Sequence, residues 1–253
     1  MKSSKIEIDL PSVSVIIPAY NEEKWIETTI SSLLESRFPC EVIVVDDGST
    51  DQTPRILESF GSKIQVVTHK VNIGKGAAIV SALRKSAGEI IVFCDAHLLG
   101  LNEYHLLSLV LPLIYSPVRV VLGECVPEEI SLTRAFSPTM ILTGQRAYYK
   151  EDLLPLAEEM EGLGYGVETF LFNHFRRDDT AVVLLRGLTH LIKKDTSSPR
   201  AATLAYLREV KEILDTLVSI EGIIPKEAMQ LKKMVSSLLA KYETVVGKSE
   251  EAA

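Results

Sequence analysis

Between Val13 and Asp95 the chain repeats one unit: a short run of β-branched residues, a polar turn, then apolar positions at helical spacing. Such alternation predicts β-α-β units carrying a parallel sheet. Residues 13–17 read as the first strand, closed by Pro18, and Asn21 stands where it can cap a helix whose Trp25, Ile26, Ile30, Leu33 and Leu34 share one face. A second strand over 42–45 ends in the polar turn 46–51, whose Ser, Thr and Asp side chains can cap a helix from near Gln52. A third strand covers 64–68. Asn72-Ile73-Gly74-Lys75-Gly76 then leads into an alanine-rich helix over 77–87, and a fourth strand over 89–94 delivers Asp95 at its carboxyl end. Four strand ends point the same way, and ligands of open α/β sheets bind in the crevice beyond such ends. The polar residues of these loops are expected to meet in one pocket.

Beyond residue 98 the order is less regular. A helix is expected around 102–114 and a strand at 118–122, while 123–138 reads as a mobile loop over the pocket. Thr143-Gly144-Gln145-Arg146-Ala147 precedes a helix over 150–160, and Gly164-Tyr165-Gly166-Val167-Glu168 opens another that runs to 176. A strand over 180–185 leads to His190. From 201 onward two amphipathic helices, split by Gly222 and Pro225, form a tail with a disordered end at 248–253.

Composition narrows the function classes. At 253 residues, with 46% hydrophobic and 24% charged, the chain suits one packed domain with an appendage and no fibrous or disordered architecture. Its 27 basic against 34 acidic residues leave a net charge of −7, which argues against coating a nucleic acid, so any phosphate must be gripped locally. Cys40, Cys94 and Cys125 share no C-x-x-C spacing, so neither a disulfide framework nor a thiolate zinc site is expected, and a reducing, cytoplasmic compartment follows. The first residues lack a signal-peptide run, and the longest apolar stretch, 106–115, is broken by Ser108 and Pro112, so no spanning segment is expected.

Four strings together carry a resemblance: Val15-Ile16-Ile17-Pro18-Ala19-Tyr20-Asn21-Glu22, Val44-Val45-Asp46-Asp47-Gly48-Ser49-Thr50-Asp51, Asn72-Ile73-Gly74-Lys75-Gly76 and Asp95-Ala96-His97. In this order the chain resembles the family 2 glycosyltransferases of GT-A fold, over residues 13 to 195. The resemblance implies an α/β, Rossmann-like domain for nucleotide-diphospho-sugars, with a mixed, mostly parallel sheet flanked by helices; the C-terminal helical appendage lies outside it. Together with the pattern of the tail, this divides the chain into an extension (1–12), a GT-A domain (13–200, with a nucleotide-binding half 13–97 and an acceptor half 98–200) and a helical tail (201–253). The resemblance also implies an inverting hexosyltransferase that uses a UDP- or GDP-sugar.

On the same resemblance, Pro18, Ala19, Tyr20, Glu22, Asp47, Lys75, Asp95 and Ala96 form the donor site. Tyr20 offers a flat face to a base and Asp47 an acceptor for its ring N–H, which uracil and guanine both carry. Asp46 and Asp47 could instead cap the next helix. Glu22 could hold ribose or favour a helix N-terminus through the dipole. Lys75, after Gly74 at the start of a helix, suits a diphosphate, or is a solvated lysine at a tight turn. The family's usual Asp-x-Asp is Asp95-Ala96-His97 here, and an imidazole suits Mn²⁺ better than Mg²⁺. Members acting on 3-phosphoglycerate place a metal-binding histidine after a late strand, which matches His190. Asp95, His97 and His190 thus form the expected metal set, with His69, His105 and His174 left to surface or packing roles.

Catalysis is assigned to Lys75, Arg146 and Glu168. Lys75 and a metal neutralise the leaving diphosphate, Arg146 suits a phosphate, and Glu168 is a base, a sugar or acceptor contact, or a helix start. Lys193, Lys194 and Arg200 read as an exposed basic loop. The acceptor is left open between a polyprenyl phosphate and a phosphoglycerate-like molecule. Ser131-Leu132-Thr133-Arg134 only suggests the latter's acceptor signature, and the helix over 231–242 with Lys232, Lys233 and Lys241 could touch the inner membrane face. Homo-oligomerisation is left open. Two other readings stand beside this one: a sugar-nucleotide-binding protein without catalysis, and a nucleotidyltransferase, which the absence of Gly-x-Gly-x-Arg after the first strand disfavours.

Overall fold

The computed structural model describes residues 11–129, 143–175 and 179–190, with single helical positions at Lys211, Lys233, Ser236, Ser237 and Ala240. Most of the N-terminal extension and of the tail helices, the 131–134 string and the 193–200 basic loop lie outside the described residues.

The elements are β1 (Val13–Ala19), α1 (Ile26–Glu35), β2 (Glu41–Asp46), α2 (Thr53–Ser59), β3 (Gln65–Thr68), α3 (Lys75–Lys85), β4 (Ile90–Phe93), β5 (Leu98–Leu99), α4 (Glu103–Tyr115), β6 (Val120–Val126), β7 (Arg146–Tyr149), α5 (Lys150–Leu153), α6 (Ala157–Glu161), α7 (Val167–His174), β8 (Thr180–Arg186) and β9 (Thr189–His190). Seven strands form one sheet in the order β3-β2-β1-β4-β7-β6-β8. Only β7 runs antiparallel to its neighbours. The chain leaves β1 toward β3 and returns to β4 on the other side, so a topological switch point lies between β1 and β4.

The strands are apolar on both faces because both faces are covered. Val15, Ile17, Val44 and Val92 pack with Ile26, Ile30 and Leu33 of α1 and Leu106 and Leu109 of α4. The alternate positions Ile16, Ile43, Val45, Ile91 and Phe93 pack with Ile79 and Leu83 of α3, Met160 of α6 and Val167 and Leu171 of α7. Burying each such side chain contributes roughly 1.5–3 kcal/mol, so the period-two pattern fixes the strands' register in a three-layer stack.

Several expectations are corrected. Asn21 caps no helix: its φ is +54°, its Oδ1 accepts the Thr50 N–H at 2.8 Å, and α1 begins at Ile26. The side chain thus ties the β1–α1 loop to the β2–α2 loop instead of serving its own helix. Residues 123–126 are no mobile loop but the second half of β6, paired with 183–186 of β8. Arg146 and Ala147 do not merely precede a helix, since they begin β7. The helix expected over 150–160 is divided into α5 and α6 by a 3₁₀ turn at Leu154–Leu156, which contains Pro155. Among the described residues no helix is long and apolar enough to cross a membrane.

Candidate active site

Parallel strands β1, β2 and β4 end at one edge of the sheet, and antiparallel β7 begins there, with Arg146 opposite Phe93. That reversal brings the residues before β7 to the carboxyl end of β4. Asp95, only 7% exposed, is the centre. Its Oδ1 accepts Lys75 Nζ at 2.8 Å, and its Oδ2 accepts Gln145 Nε2 at 3.0 Å and faces His190 Nε2 at 2.9 Å. A side chain at Gly144 would overlap the Asp95 carboxylate, so the acid rests on bare backbone. The Lys75 ammonium also pairs with Glu168 Oε1 at 2.5 Å, from the first turn of α7.

The electrostatics follow from this geometry. Burial works to raise the Asp95 carboxyl, but the Lys75 ammonium, with His190 and His97, outweighs it and holds the group well below the usual carboxylate range. Burial works to neutralise Lys75, and Asp95 and Glu168 reverse that, pushing its ammonium above the usual lysine range. One cation therefore stands between two anions in a nearly sealed place. Burial alone pushes the Cys40 thiol up to about 11, and it is the first cause of raised values at Cys94 and Cys125 too. All three cysteines are free, and none is an activated nucleophile.

His190 reaches the centre through a two-stranded clip in which β9 pairs antiparallel with β5, His190 opposite Leu98. Its ring lies edge-on to that of His97, with 4.3 Å between centroids. The Nδ1 of His97 sits 3.4 Å from Glu22 Oε1, buried and without a hydrogen bond. The expected metal set is thus only partly assembled. Asp95 and His190 touch, His97 Nδ1 turns to Glu22, and among the described residues no group of three His, Cys, Asp or Glu side chains is gathered to hold an ion. Glu22, 5% exposed, is placed beside His97.

Asp47 does not cap α2. Its Oδ1 accepts the Ile73 N–H at 3.1 Å and its Oδ2 the Gly74 N–H at 2.8 Å, so it builds the loop that presents Lys75. Asp46 closes its own turn through Ser49 N, and Asp51 Oδ1 takes the Thr53 N–H at the start of α2. Tyr20 is 37% exposed at the end of β1, and Pro18 is half-buried. The methyl groups of Ala19 and Ala96 lie in the core, and their carbonyls accept Asp47 N–H and Thr29 Oγ1. Their side chains are therefore packed inside the fold.

Arg146 is also corrected. It is fully buried, donating Nε to the Thr143 carbonyl at 2.6 Å and Nη1 to the Glu168 carbonyl at 2.8 Å and to Tyr148 Oη at 3.3 Å. It props the backbone that carries Glu168 from inside the fold. Gly144 and Gln145, within the string Thr143–Ala147, carry no expected role, yet both meet Asp95, and the next residue, Arg146, turns to the Glu168 carbonyl. Of the histidines left to surface or packing roles, His105 has such a role, whereas His69 reaches the candidate site. His69 bonds Asp47, and His105 completes a capping box with Asn102 while its Nε2 faces the Arg186 carbonyl at 2.8 Å.

The sequence profile described as Glycosyl transferase family 2 matches residues 14–176, more than half of the chain. Among curated relatives, a human dolichyl-phosphate beta-glucosyltransferase is 43% identical over 33% of this chain and 30% of its own length. A 4,4'-diaponeurosporenoate glycosyltransferase of Staphylococcus haemolyticus is 38% identical over 40% of this chain and 28% of its own. The chain thus spans less than a third of these relatives. A glucosyl-3-phosphoglycerate synthase from Mycobacterium tuberculosis, solved with Mn²⁺, UDP-glucose and phosphoglyceric acid, superposes with a TM-score of 0.58 at 26% identity, covering 81% of this chain and 79% of that one. The same synthase with Mg²⁺ and UDP gives 0.59 at 25% identity, over 81% and 79%. The profile and the sheet order together place the chain in glycosyl transferase family 2, with the GT-A fold.

Proposed function

We propose that the protein transfers a hexosyl group, with inversion, from a nucleoside diphosphate sugar to an acceptor that bears phosphate, using a divalent cation. The observation that carries this reading is the Asp95 carboxylate, nearly sealed at the switch-point edge and held at once by Lys75 and His190. The solved relatives' complexes with UDP-glucose support UDP as the donor nucleotide. Half-exposed Tyr20 is the flat surface for the base. With three donors already on Asp47 from His69, Ile73 and Gly74, one lone pair of Oδ2 is left for a base N–H.

Two residues of the expected metal set, Asp95 and His190, are close enough to share a cation. Two ligands each about 2.1 Å from an ion and about 90° apart are separated by about 3 Å, the spacing of Asp95 Oδ2 and His190 Nε2 at 2.9 Å. Asp95 and His190 would hold it, with His97 beside them, and the imidazole favours Mn²⁺ over Mg²⁺. When bound, the cation supplies charge for the diphosphate leaving group. Lys75 adds a second positive charge there. The acceptor oxygen forms its bond to the anomeric carbon as the bond to the diphosphate breaks on the opposite face. An acceptor phosphate, with a second pKa of about 6, needs no base; an acceptor hydroxyl would lose its proton to a carboxylate, and Glu168 is the second carboxylate at Lys75, beside Asp95. Glu168 otherwise orients a hydroxyl of the sugar.

The test is nucleotide release by the purified chain from UDP-glucose and GDP-mannose, with Mn²⁺ and with glycerol 3-phosphate or a polyprenyl phosphate. Acceptor-dependent release of UDP is expected. No release, together with no thermal stabilisation by UDP and Mn²⁺, overturns the reading.

A further inference from the structure

We infer that His69, outside every recognised string, is a positioning residue for the donor site; this rests on the proposed donor reading. Its backbone N–H donates to the Asp46 carbonyl at 2.9 Å, where edge strand β3 ends. From there the imidazole spans two elements. Nδ1 lies 2.6 Å from Asp47 Oδ1 and Nε2 lies 2.9 Å from Ser81 Oγ on α3. An ionised carboxylate only accepts, so Nδ1 carries the hydrogen and donates it. Asp47 Oδ1 is then shared by an imidazole and the Ile73 N–H, while Oδ2 takes the Gly74 N–H.

Three donors fix the plane of that carboxylate. Gly74 is bonded directly to Lys75, whose ammonium pairs with Asp95 and Glu168. A continuous set of contacts therefore runs from the ring through Asp47 and the loop backbone to the cation of the site. Removing the imidazole leaves Oδ1 with one donor instead of two, frees the carboxylate to turn, and loosens both the acceptor offered to a base and the loop that carries Lys75.

His69 could instead serve only to fasten β3 to α3 through Ser81, and two substitutions separate these roles. In His69→Asn the amide nitrogen reaches the place of Nδ1 and donates to Asp47 but falls short of Ser81. In His69→Gln the longer side chain reaches toward Ser81 and leaves Asp47 without that donor. UDP with Mn²⁺ is the probe, titrated against wild type, His69→Asn, His69→Gln and Ser81→Ala, with melting temperature recorded for each.

The expected result is affinity within about threefold of wild type for His69→Asn and Ser81→Ala, and a loss of about tenfold for His69→Gln. In turnover, KM for the donor rises in His69→Gln more than kcat falls, and melting temperatures of the two His69 variants agree. Equal affinities for Asn and Gln, or a tenfold loss in Ser81→Ala, overturns the inference while leaving the donor reading intact. Wild type that binds no UDP overturns both.

Discussion

The two halves of the domain build the same site by different means. In residues 13–97 the loops are laced to each other: Asn21 to Thr50, Glu22 N–H to Thr53 Oγ1 at 2.8 Å, Glu23 to Gln52 N–H at 2.9 Å, and Asp47 to Ile73 and Gly74. Side chains there mostly hold backbone. In residues 98–190 the contributions are single side chains delivered to Asp95 and Lys75 from far along the chain, with Gln145, Glu168 and His190 each on a different element. The first half makes a shaped edge that carries Lys75 and Asp95, and the second half supplies the partners that close on them. A scaffold of many modest bonds tolerates the loss of one better than a centre where three side chains meet on one carboxylate.

Substitutions can break that contrast, beginning with the centre. Asp95→Asn should lower turnover by about a thousandfold, because it removes the anion that both Lys75 and His190 approach. Gly144→Ala should cost about a hundredfold without touching any charge, since the new methyl group displaces the Asp95 carboxylate. Steady-state kinetics on both checks the order, and an active Gly144→Ala enzyme would show that Asp95 need not rest there. Arg146→Met should destabilise the fold by about 2–4 kcal/mol in urea titration, as buried carbonyls of Thr143 and Glu168 lose their donors. A stable variant with only a raised acceptor KM would restore Arg146 to a substrate-binding role.

Acid stability sharpens the comparison next. Asp95 has a lowered carboxyl pKa in the folded state, so its stabilising contribution is fully present above the unfolded value of about 4 and is lost as pH falls below it. The stability gap between wild type and Asp95→Asn in urea should therefore narrow below about pH 4. Lys75 has the opposite sign: its raised pKa keeps its contribution below about pH 10 and releases it at higher pH. Asn21→Ala should have the smallest effect, about 1 kcal/mol by thermal melting with turnover changed less than threefold, because Ser49, Thr53 and Asp51 still tie the two loops.

Legibility in the sequence follows the same division. The parallel strands of the first half announce themselves because burial on both faces demands unbroken β-branched runs, and the turn residues at their ends line the candidate site. Asp95 and Lys75 could be found that way. Arg146-Ala147-Tyr148-Tyr149 has no such run, is four residues long and reverses direction, so its strand went unread. With it went the parity that buries Arg146 and aims Gln145 at Asp95. An arginine's burial depends on which carbonyls happen to face it, here those of residues 143 and 168, and no local pattern encodes that. His69 escaped for a similar reason: its partners lie 22 and 12 positions away, on two different elements.

Gly76 and Gly74 press directly on the segment before α7. A side chain at Gly76 would overlap the Met160 carbonyl, and one at Gly74 would come within 3.3 Å of the Gly164 α-carbon. Main chain thus meets main chain just where the lysine-bearing loop and the glutamate-bearing helix adjoin. The two pieces cannot slide past one another without separating helices α3 and α6. An incoming molecule therefore finds the distance between the ammonium and the carboxylate set in advance, and the reorganisation left to it is confined to side-chain torsions.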